Sequence, residues 1–236
     1  MIALCSFASD NMTISQERLI VSSLKYGVEK TFSYSPKSYE EIFYSVNKKT
    51  LDAERGSGYW LWKPYIVNAA LHSGYLNEGD ILIYSDAGVE IVNEVRHIID
   101  KMDQDIFFFS NGWPYFDWCK KKVMDAIYPE WIKDWEIRNE KPQVQASVIF
   151  MKVTDKVKDF MREWLAWCQI PGFIDDSDGG HKGFQDNRHD QSILGLLQMK
   201  HGYKLHFWPT RYSEHLPKTD LYPTIFDHHR RRNSEW

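Results

Sequence analysis

The chain has 236 residues, of which 43% are hydrophobic and 26% are charged, the composition of an ordinary globular protein. A formal net charge of −4 argues against a nucleic-acid partner, and no apolar run approaches the ~20 residues of a membrane span. The cysteines (Cys5, Cys119 and Cys168) are too widely spaced for a disulfide framework or a zinc site, so we expect a reduced, cytoplasmic protein.

Short apolar runs alternate with helical spacings along the chain. In chain order, the predicted strands span residues 2–7, 31–34, 81–84, 105–109, 144–151 and 203–208. The predicted helices span residues 13–26, 35–46, 64–72, 92–102, 116–127, 155–167 and 191–200. This alternation is typical of an α/β sandwich with a mostly parallel central sheet, and the length fits one domain. Such sheets bind ligands at the carboxyl ends of their strands.

Two polar segments stand out against this background. Ser85-Asp86-Ala87-Gly88 follows the predicted strand 81–84, so Asp86 is expected at the ligand edge of the sheet. A carboxylate there can bind Mg²⁺ or Mn²⁺, although Asp and Gly also favour a plain turn. The glycine-rich segment 172–189 is a predicted loop whose length favours a lid over the acceptor site.

The strand followed by Asp86, Ala87 and Gly88 resembles a variant of the Asp-x-Asp signature of nucleotide-sugar glycosyltransferases with the A-type (GT-A) fold. Three further motifs occur in the expected order: RGSGYWLWKPY at residues 55–65, Gln145-Ala146-Ser147, and NRHDQS at 187–192, before DHHR at 227–230. The set resembles glycosyltransferases of bacteria and large algal viruses that act on capsular or capsid glycans. The resemblance extends over residues 2–230.

The resemblance implies a role for each motif. The implied donor-binding residues are Phe7, Ser9, Asp10, Arg55, Trp60, Lys63, Ser85, Asp86, Ala87, Gln145, Ser147 and Arg230. The implied catalytic residues are Asp190, as general base, and Gln191, and the implied ligands of Mn²⁺ or Mg²⁺ are Asp86, His228 and His229. Gly88 replaces the second acid of the usual signature, which is commonly a metal ligand.

Several of these residues also have ordinary structural interpretations. Ser9, Asp10 and Asp190 stand where helix N-caps are common. Arg55 and Lys63 can be surface cations, and the run 230–232 can be a solvated tail. The sequence leaves these alternatives open.

The resemblance implies a single Rossmann-like domain, in which residues 1–110 bind the nucleotide sugar and residues 111–236 bind the acceptor. We expect transfer of a hexose or deoxyhexose from a UDP-linked donor to a glycan or glycoprotein hydroxyl. Two alternatives remain at this point. One is a carbohydrate-binding module without catalysis, and the other is a hydrolase that uses two of Asp86, Asp178 and Asp190.

Overall fold

The computed structural model describes residues 1–133, 140–211 and 221–236. The strands of its main sheet are β1 (Ile2–Phe7), β2 (Lys30–Tyr34), β3 (Ile81–Ser85), β5 (Ile106–Pro114), β6 (Pro142–Lys152) and β7 (Leu205–Phe207). A separate antiparallel pair is formed by β4 (Glu90–Ile91) and β8 (Phe226–Asp227). The main sheet has the strand order β2-β1-β3-β6-β5-β7.

The main sheet is mixed but mostly parallel. β1 runs parallel to both β2 and β3, and β7 runs parallel to β5. Only β6, among the described strands of this sheet, is antiparallel to its neighbours β3 and β5. The carboxyl ends of β1 and β3 therefore meet the amino-terminal part of β6 at one edge of the sheet, and the prediction of an α/β fold is confirmed.

Helices cover both faces of the sheet. They are α1 (Thr13–Lys25), α2 (Glu41–Leu51), α3 (Gly56–Tyr59), α4 (Trp62–Leu71), α5 (Arg96–Ile99), α6 (Lys121–Ile127), α7 (Asp155–Cys168) and α8 (Asp190–Lys200). Alternate residues of β1 enter two separate cores, because successive side chains of a strand point to opposite faces. Cys5 belongs to the core that includes residues of α4, α6, α7 and α8, whereas Leu4 belongs to the core that includes residues of α1 and α5. No described helix combines the length and apolar character needed to cross a membrane.

Three predicted helices differ from the structure by more than two residues, whereas the other four agree to within one or two residues at each end. The predicted helix 35–46 is a 3₁₀ turn at Pro36–Ser38 followed by α2, and the predicted helix 116–127 likewise divides into a 3₁₀ turn and α6. The predicted helix 92–102 is reduced to the four residues of α5. The Val92 N–H donates to the carbonyl of Ile225 at 2.8 Å, beside the β4–β8 pair. This pairing between residues far apart in the chain takes the place of the first turn of the predicted helix. No local sequence pattern predicts it.

The loop 172–189 is held in place by the segment that precedes α6. The Lys120 ammonium is fully buried and donates to the carbonyl of Gly172 at 3.0 Å, and its nitrogen lies 2.5 Å from Asp175 Oδ1. Backbone bonds also join the loop to Asp117 and Lys121. The segment is therefore anchored to the turn before α6 and to the start of that helix, and only Arg188 and His189 of it line the cleft described below.

Candidate active site

A cleft of about 980 Å³ opens at the edge where β1, β3 and β6 meet. Most of the residues predicted from the sequence line this cleft: Phe7, Ser9, Arg55, Trp60, Lys63, Asp86, Ala87, Gln145, Ser147, Asp190, Gln191, His228 and Arg230. Asp10, Ser85 and His229 are not among the described residues that line it. The structure therefore brings segments from both halves of the chain to one place.

The three remaining predicted residues lie outside the cleft for different reasons. Asp10 is exposed at the start of a 3₁₀ turn, and Ser85 is buried with its hydroxyl donating to the carbonyl of Asp86 at 3.2 Å. His229 Nδ1 accepts from the backbone N–H of Arg231 at 3.0 Å, and its ring packs against Trp236. Their positions do not support the predicted donor or metal roles.

The centre of the cleft is a lysine between two carboxylates, called here the Asp86–Lys63–Asp190 centre. Lys63 Nζ lies 3.2 Å from Asp86 Oδ1 and 3.5 Å from Asp190 Oδ2. It also donates to the carbonyl of Ala146 at 3.1 Å. Lys63 is only 3% exposed. A buried ammonium needs such partners because an unpaired charge away from water is strongly unfavourable.

Three separate elements position the members of this centre. Lys63 is carried by α4, and Asp190 is the first residue of α8, where the Trp164 indole N–H donates to its carbonyl at 3.0 Å. Asp86 follows β3, and its backbone N–H donates to the carbonyl of Ser147 on β6 at 2.8 Å. The Tyr84 hydroxyl donates to Asp86 Oδ1. The carboxylates are therefore held by backbone and side-chain bonds before any ligand binds.

Burial and the neighbouring charges together set the pKa values of Asp190 and Lys63. Burial raises the pKa of Asp190 to about 7, the negative charge of Asp86 adds to this effect, and Lys63 opposes it. Burial lowers the pKa of Lys63, but the charges of Asp190 and Asp86 outweigh it and leave the pKa raised, so the ammonium stays charged. Asp190 therefore exchanges a proton near neutral pH, which suits a general acid or base.

An irregularity in β6 turns polar side chains toward the cleft. The register with β5 shifts between the pairs Phe107–Phe150 and Phe109–Gln145, and such irregularities are common beside active sites. Gln145 Nε2 donates to Ser147 Oγ at 2.8 Å, and Gln191 Nε2 donates to Gln143 Oε1 at 2.7 Å. Gln143 was not predicted, although it shares the period-two pattern of Gln145 and Ser147.

Phe7 lines the cleft but is 3% exposed. Its ring stacks on Trp62 with centroids 4.2 Å apart, and Tyr39 stacks at 6.0 Å. The ring is therefore already packed, so stacking on a nucleotide base is not supported. Ser9, Asn11 and Met12 line the cleft beside it.

The residues before α4 form a left-handed turn. Gly56, Ser57, Gly58, Tyr59 and Trp60 have φ angles of 60°, 51°, 100°, 51° and 59°. For residues other than glycine this conformation costs roughly 1–2 kcal/mol each, and such strain is concentrated at functional sites. The turn presents Trp60 to the cleft, where its ring lies against His189 with centroids 4.9 Å apart.

Gly58→Ala is expected to destabilise the protein by about 1–3 kcal/mol more than Gly74→Ala. Both glycines have positive φ, but a Cβ at Gly58 would lie 2.7 Å from Leu51 Cα, whereas no described atom lies within 4 Å of a Cβ at Gly74. Urea unfolding of the two variants measures the difference. Equal losses would show that Leu51 moves aside at no cost.

The cleft also contains residues to which the sequence analysis assigned no donor, catalytic or metal role: Asn11, Met12, Glu54, Gly56, Ser57, Trp62, Gly88, Asn111, Trp113, Trp118, Gln143, Arg188 and Arg232. Arg188 belongs to the NRHDQS motif, so the motif itself could have suggested it, and His189 of the same motif lines the cleft beside it. Trp113 and Trp118 come from the end of β5 and the turn after it, and no local signal marks them. Arg230 and Arg232, for which the sequence left a solvated tail open, are exposed and also line the cleft.

Comparison with known proteins identifies the fold. No family model and no curated protein matches the sequence. The structure is similar to the apo form of mouse xyloside xylosyltransferase 1, with a TM-score of 0.52 at 11% identity over 97% of each chain. It is also similar to the apo structure of the WbbM bifunctional glycosyltransferase, with a TM-score of 0.51 at 12% identity. That match covers 88% of this chain and 38% of the other.

The chain has the A-type glycosyltransferase fold. At identities this low the likeness establishes the fold alone. The prediction made from the Asp86 turn and the accompanying motifs is thereby confirmed at the level of the fold.

Of the predicted metal ligands, Asp86 and His228 line the cleft and His229 does not. No group of three or more His, Cys, Asp or Glu residues that could hold a metal ion exists in the described part of the chain. Asp86 Oδ1 faces the Lys63 ammonium at 3.2 Å, and His228 Nε2 accepts from Arg230 Nε at 3.3 Å. Hard cations require several oxygen ligands, so these residues do not fit a divalent-metal site. The involvement of Mn²⁺ or Mg²⁺ stays a prediction.

The charges of the cleft favour an anionic ligand. Its lining includes the cations Arg55, Lys63, Arg188, Arg230 and Arg232, and the acids Glu54, Asp86 and Asp190. Cations are in excess here although the whole chain carries a formal charge of −4. Burial, followed by the Arg230 guanidinium, lowers the pKa of His228 to about 4, so that side chain is neutral. A cleft lined mainly by one sign of charge concentrates ligands of the opposite sign.

Proposed function

We propose that the protein is a glycosyltransferase that moves a sugar from a nucleotide diphosphate sugar to a hydroxyl of a glycan or glycoprotein. The observation that carries this proposal is the Asp86–Lys63–Asp190 centre, which lies in a cation-rich cleft at the carboxyl edge of an A-type fold. Both similar structures carry transferase names. The proposed donor is UDP-linked, with a hexose or deoxyhexose as the transferred sugar.

The chemistry follows from the two kinds of charge in the cleft. Asp190, as carboxylate, takes the proton of the acceptor hydroxyl, and the acceptor oxygen bonds to the anomeric carbon. The bond from that carbon to the diphosphate oxygen breaks, and the diphosphate leaves with the electron pair through an oxocarbenium-like transition state. Positive charge at the departing diphosphate stabilises the negative charge that develops there. Lys63 and Arg230 are the proposed sources of that charge.

The aromatic wall of the cleft supports a carbohydrate acceptor bound by the second half of the chain. Trp113 is 57% exposed and lies edge-on to Trp118, with centroids 6.2 Å apart. The Arg188 guanidinium lies 4.0 Å above the Trp118 ring. Asn111 and Gln143, joined by a 2.8 Å hydrogen bond, supply polar groups nearby. Indole rings beside amide groups are suited to sugars, which have both apolar and hydroxyl-bearing faces.

The proposed location is the cytoplasm. The three cysteines are buried free thiols, which agrees with a reducing compartment.

Thermal unfolding with UDP, GDP, CDP and dTDP, each with Mn²⁺ and each with EDTA, tests the function. One nucleotide is expected to stabilise the protein by about 2.7 kcal/mol at a hundredfold excess over its Kd. The matching nucleotide sugar, mixed with glycan acceptors, should then release the nucleoside diphosphate. Glycan binding with no response to any nucleotide would overturn the proposal in favour of a binding module. Glycan cleavage without nucleotide would identify a hydrolase instead.

A further inference from the structure

The backbone around Gly88 leaves no room for the second acid of the usual signature. A Cβ at Gly88 would lie 2.9 Å from Arg230 Cα and 3.3 Å from Arg230 N. Both are backbone atoms, so neither can swing away as a flexible side chain would. The main chain of Arg230 therefore fills the space that the side chain of an aspartate at position 88 would need.

Arg230 is held firmly in this place. Its backbone N–H donates to the carbonyl of Gly88 at 2.9 Å, and its φ of 57° lies in the left-handed region, where residues other than glycine are strained. The chain beyond it is tied to the start of α1, because Asn233 Nδ2 donates to the carbonyl of Asp10 and to Thr13 Oγ1, both at 2.9 Å. These contacts hold the backbone at Arg230 and in the residues that follow it.

The guanidinium of Arg230 forms no ion pair within the described part of the chain. Arg55, another cation of the cleft, is paired with Asp176 at 2.9 Å and Asp186 at 2.8 Å. Lys63 is likewise paired with Asp86 and Asp190. Arg230 is exposed and forms no ion pair with any described carboxylate, and its Nε donates to His228 Nε2 at 3.3 Å. Its remaining N–H groups form a planar fork that matches two phosphate oxygens.

We infer that Arg230 takes the place of a divalent cation at the donor's diphosphate, so that the cleft binds the nucleotide without metal. This inference rests on the proposed function and assigns the charge at the leaving group to a residue of the C-terminal segment. Gly88 is then required because a side chain there would displace the backbone of Arg230. The close approach of Lys63 to Asp86 agrees with this arrangement, since the carboxylate is already neutralised from within the protein.

Isothermal titration of the whole chain with UDP, GDP, CDP and dTDP, in EDTA and in Mn²⁺, tests the inference. The nucleotide that binds is expected to do so in EDTA, with a Kd within about twofold of the value in Mn²⁺. Arg230→Ala should weaken binding about ten- to a hundredfold, the usual effect of losing hydrogen bonds to a charged group. Arg230→Lys should be intermediate because it keeps the charge but loses the fork.

Two further variants serve as controls, one for misfolding of Arg230→Ala and one for the loss of an arginine outside the cleft. Arg230→Gly removes the guanidinium and relieves the left-handed strain, so it should fold even if Arg230→Ala does not, and it should bind as weakly. Arg162→Ala removes an exposed arginine that pairs with Asp159 on α7, outside the cleft, and should bind as the wild type does.

Each contrary outcome has a distinct meaning. Binding that requires Mn²⁺ would overturn the inference and leave the proposed function standing. Binding in EDTA that is unchanged in both Arg230→Ala and Arg230→Gly would overturn the role of Arg230. Failure of all four nucleotides under both conditions would overturn the proposed function, and the inference with it.

Discussion

Replacing Asp190 by asparagine is expected to lower the rate of sugar transfer by about 10²–10⁴-fold, the usual contribution of a general base. Asparagine keeps the shape of the side chain but cannot accept the acceptor's proton. Because burial raises the pKa of Asp190 to about 7, the wild-type rate should rise with pH through that value. Release of nucleoside diphosphate between pH 5.5 and 8.5, as a broad range around this pKa, measures both effects. A wild-type rate that is flat across this range would contradict the assignment.

The same substitution is expected to be more favourable to stability at pH 8 than at pH 4, relative to the wild type. The pKa of Asp190 is raised on folding from 3.8 to about 7, so its ionisation opposes folding. The unfolding free energy that this ionisation removes is zero below about pH 4, grows between pH 4 and 7, and no longer changes above about pH 7. Asp190→Asn should therefore gain about 1–4 kcal/mol of unfolding free energy at pH 8 relative to pH 4. Urea unfolding at the two pH values measures the gain.

Asp178→Asn is the matched control for Asp190→Asn. Asp178 is exposed in the loop 172–189 and is not among the residues lining the cleft. Neither the transfer rate nor the stability should change appreciably. If Asp190→Asn loses stability together with activity, Asp190 is a structural partner of Lys63 rather than a base.

The strands could be predicted from the sequence, but the direction of β6 could not. Short apolar runs bounded by turn residues mark β1, β3 and β6 equally well. A buried strand has the same hydrophobic pattern in either direction, so the antiparallel pairing of β6 leaves no trace in it. That direction matters to the site, because it brings the amino-terminal part of β6, with Gln145 and Ser147, to the edge that holds Asp86.

The site residues on strands and in motifs could be predicted more readily than those on irregular segments. Lys63 and Asp190 were expected in the site because their motifs occur together, yet the ion pair that joins them forms between α4 and α8, far apart in the chain. The adjacent residues His228 and His229 show most clearly what could not be predicted from the sequence. Only His228 lines the cleft, although the two histidines are adjacent in the sequence. Contacts with Trp236 hold the other away from it.

Replacing Lys63 by methionine is expected to destabilise the protein by about 3–5 kcal/mol at pH 8, the usual cost of removing one partner from a buried ion pair. Methionine fills a similar volume, so the loss arises mainly from charge. Asp86 and Asp190 would be left as like charges, with Asp190 almost fully buried. Urea unfolding of Lys63→Met measures the loss. Lys48→Met, which removes an exposed lysine paired with Asp52, should have little effect.

The double variant Lys63→Met/Asp190→Asn separates charge from packing. If the uncompensated carboxylate at position 190 causes the loss, removing it should recover a large part of the stability, so that the two substitutions are strongly non-additive. Such coupling is expected only for residues in direct contact, as these are at 3.5 Å. A double variant no more stable than Lys63→Met would show that the lysine acts through its packing and its bond to the Ala146 carbonyl. The charge balance of the Asp86–Lys63–Asp190 centre would then contribute little to the stability of the fold.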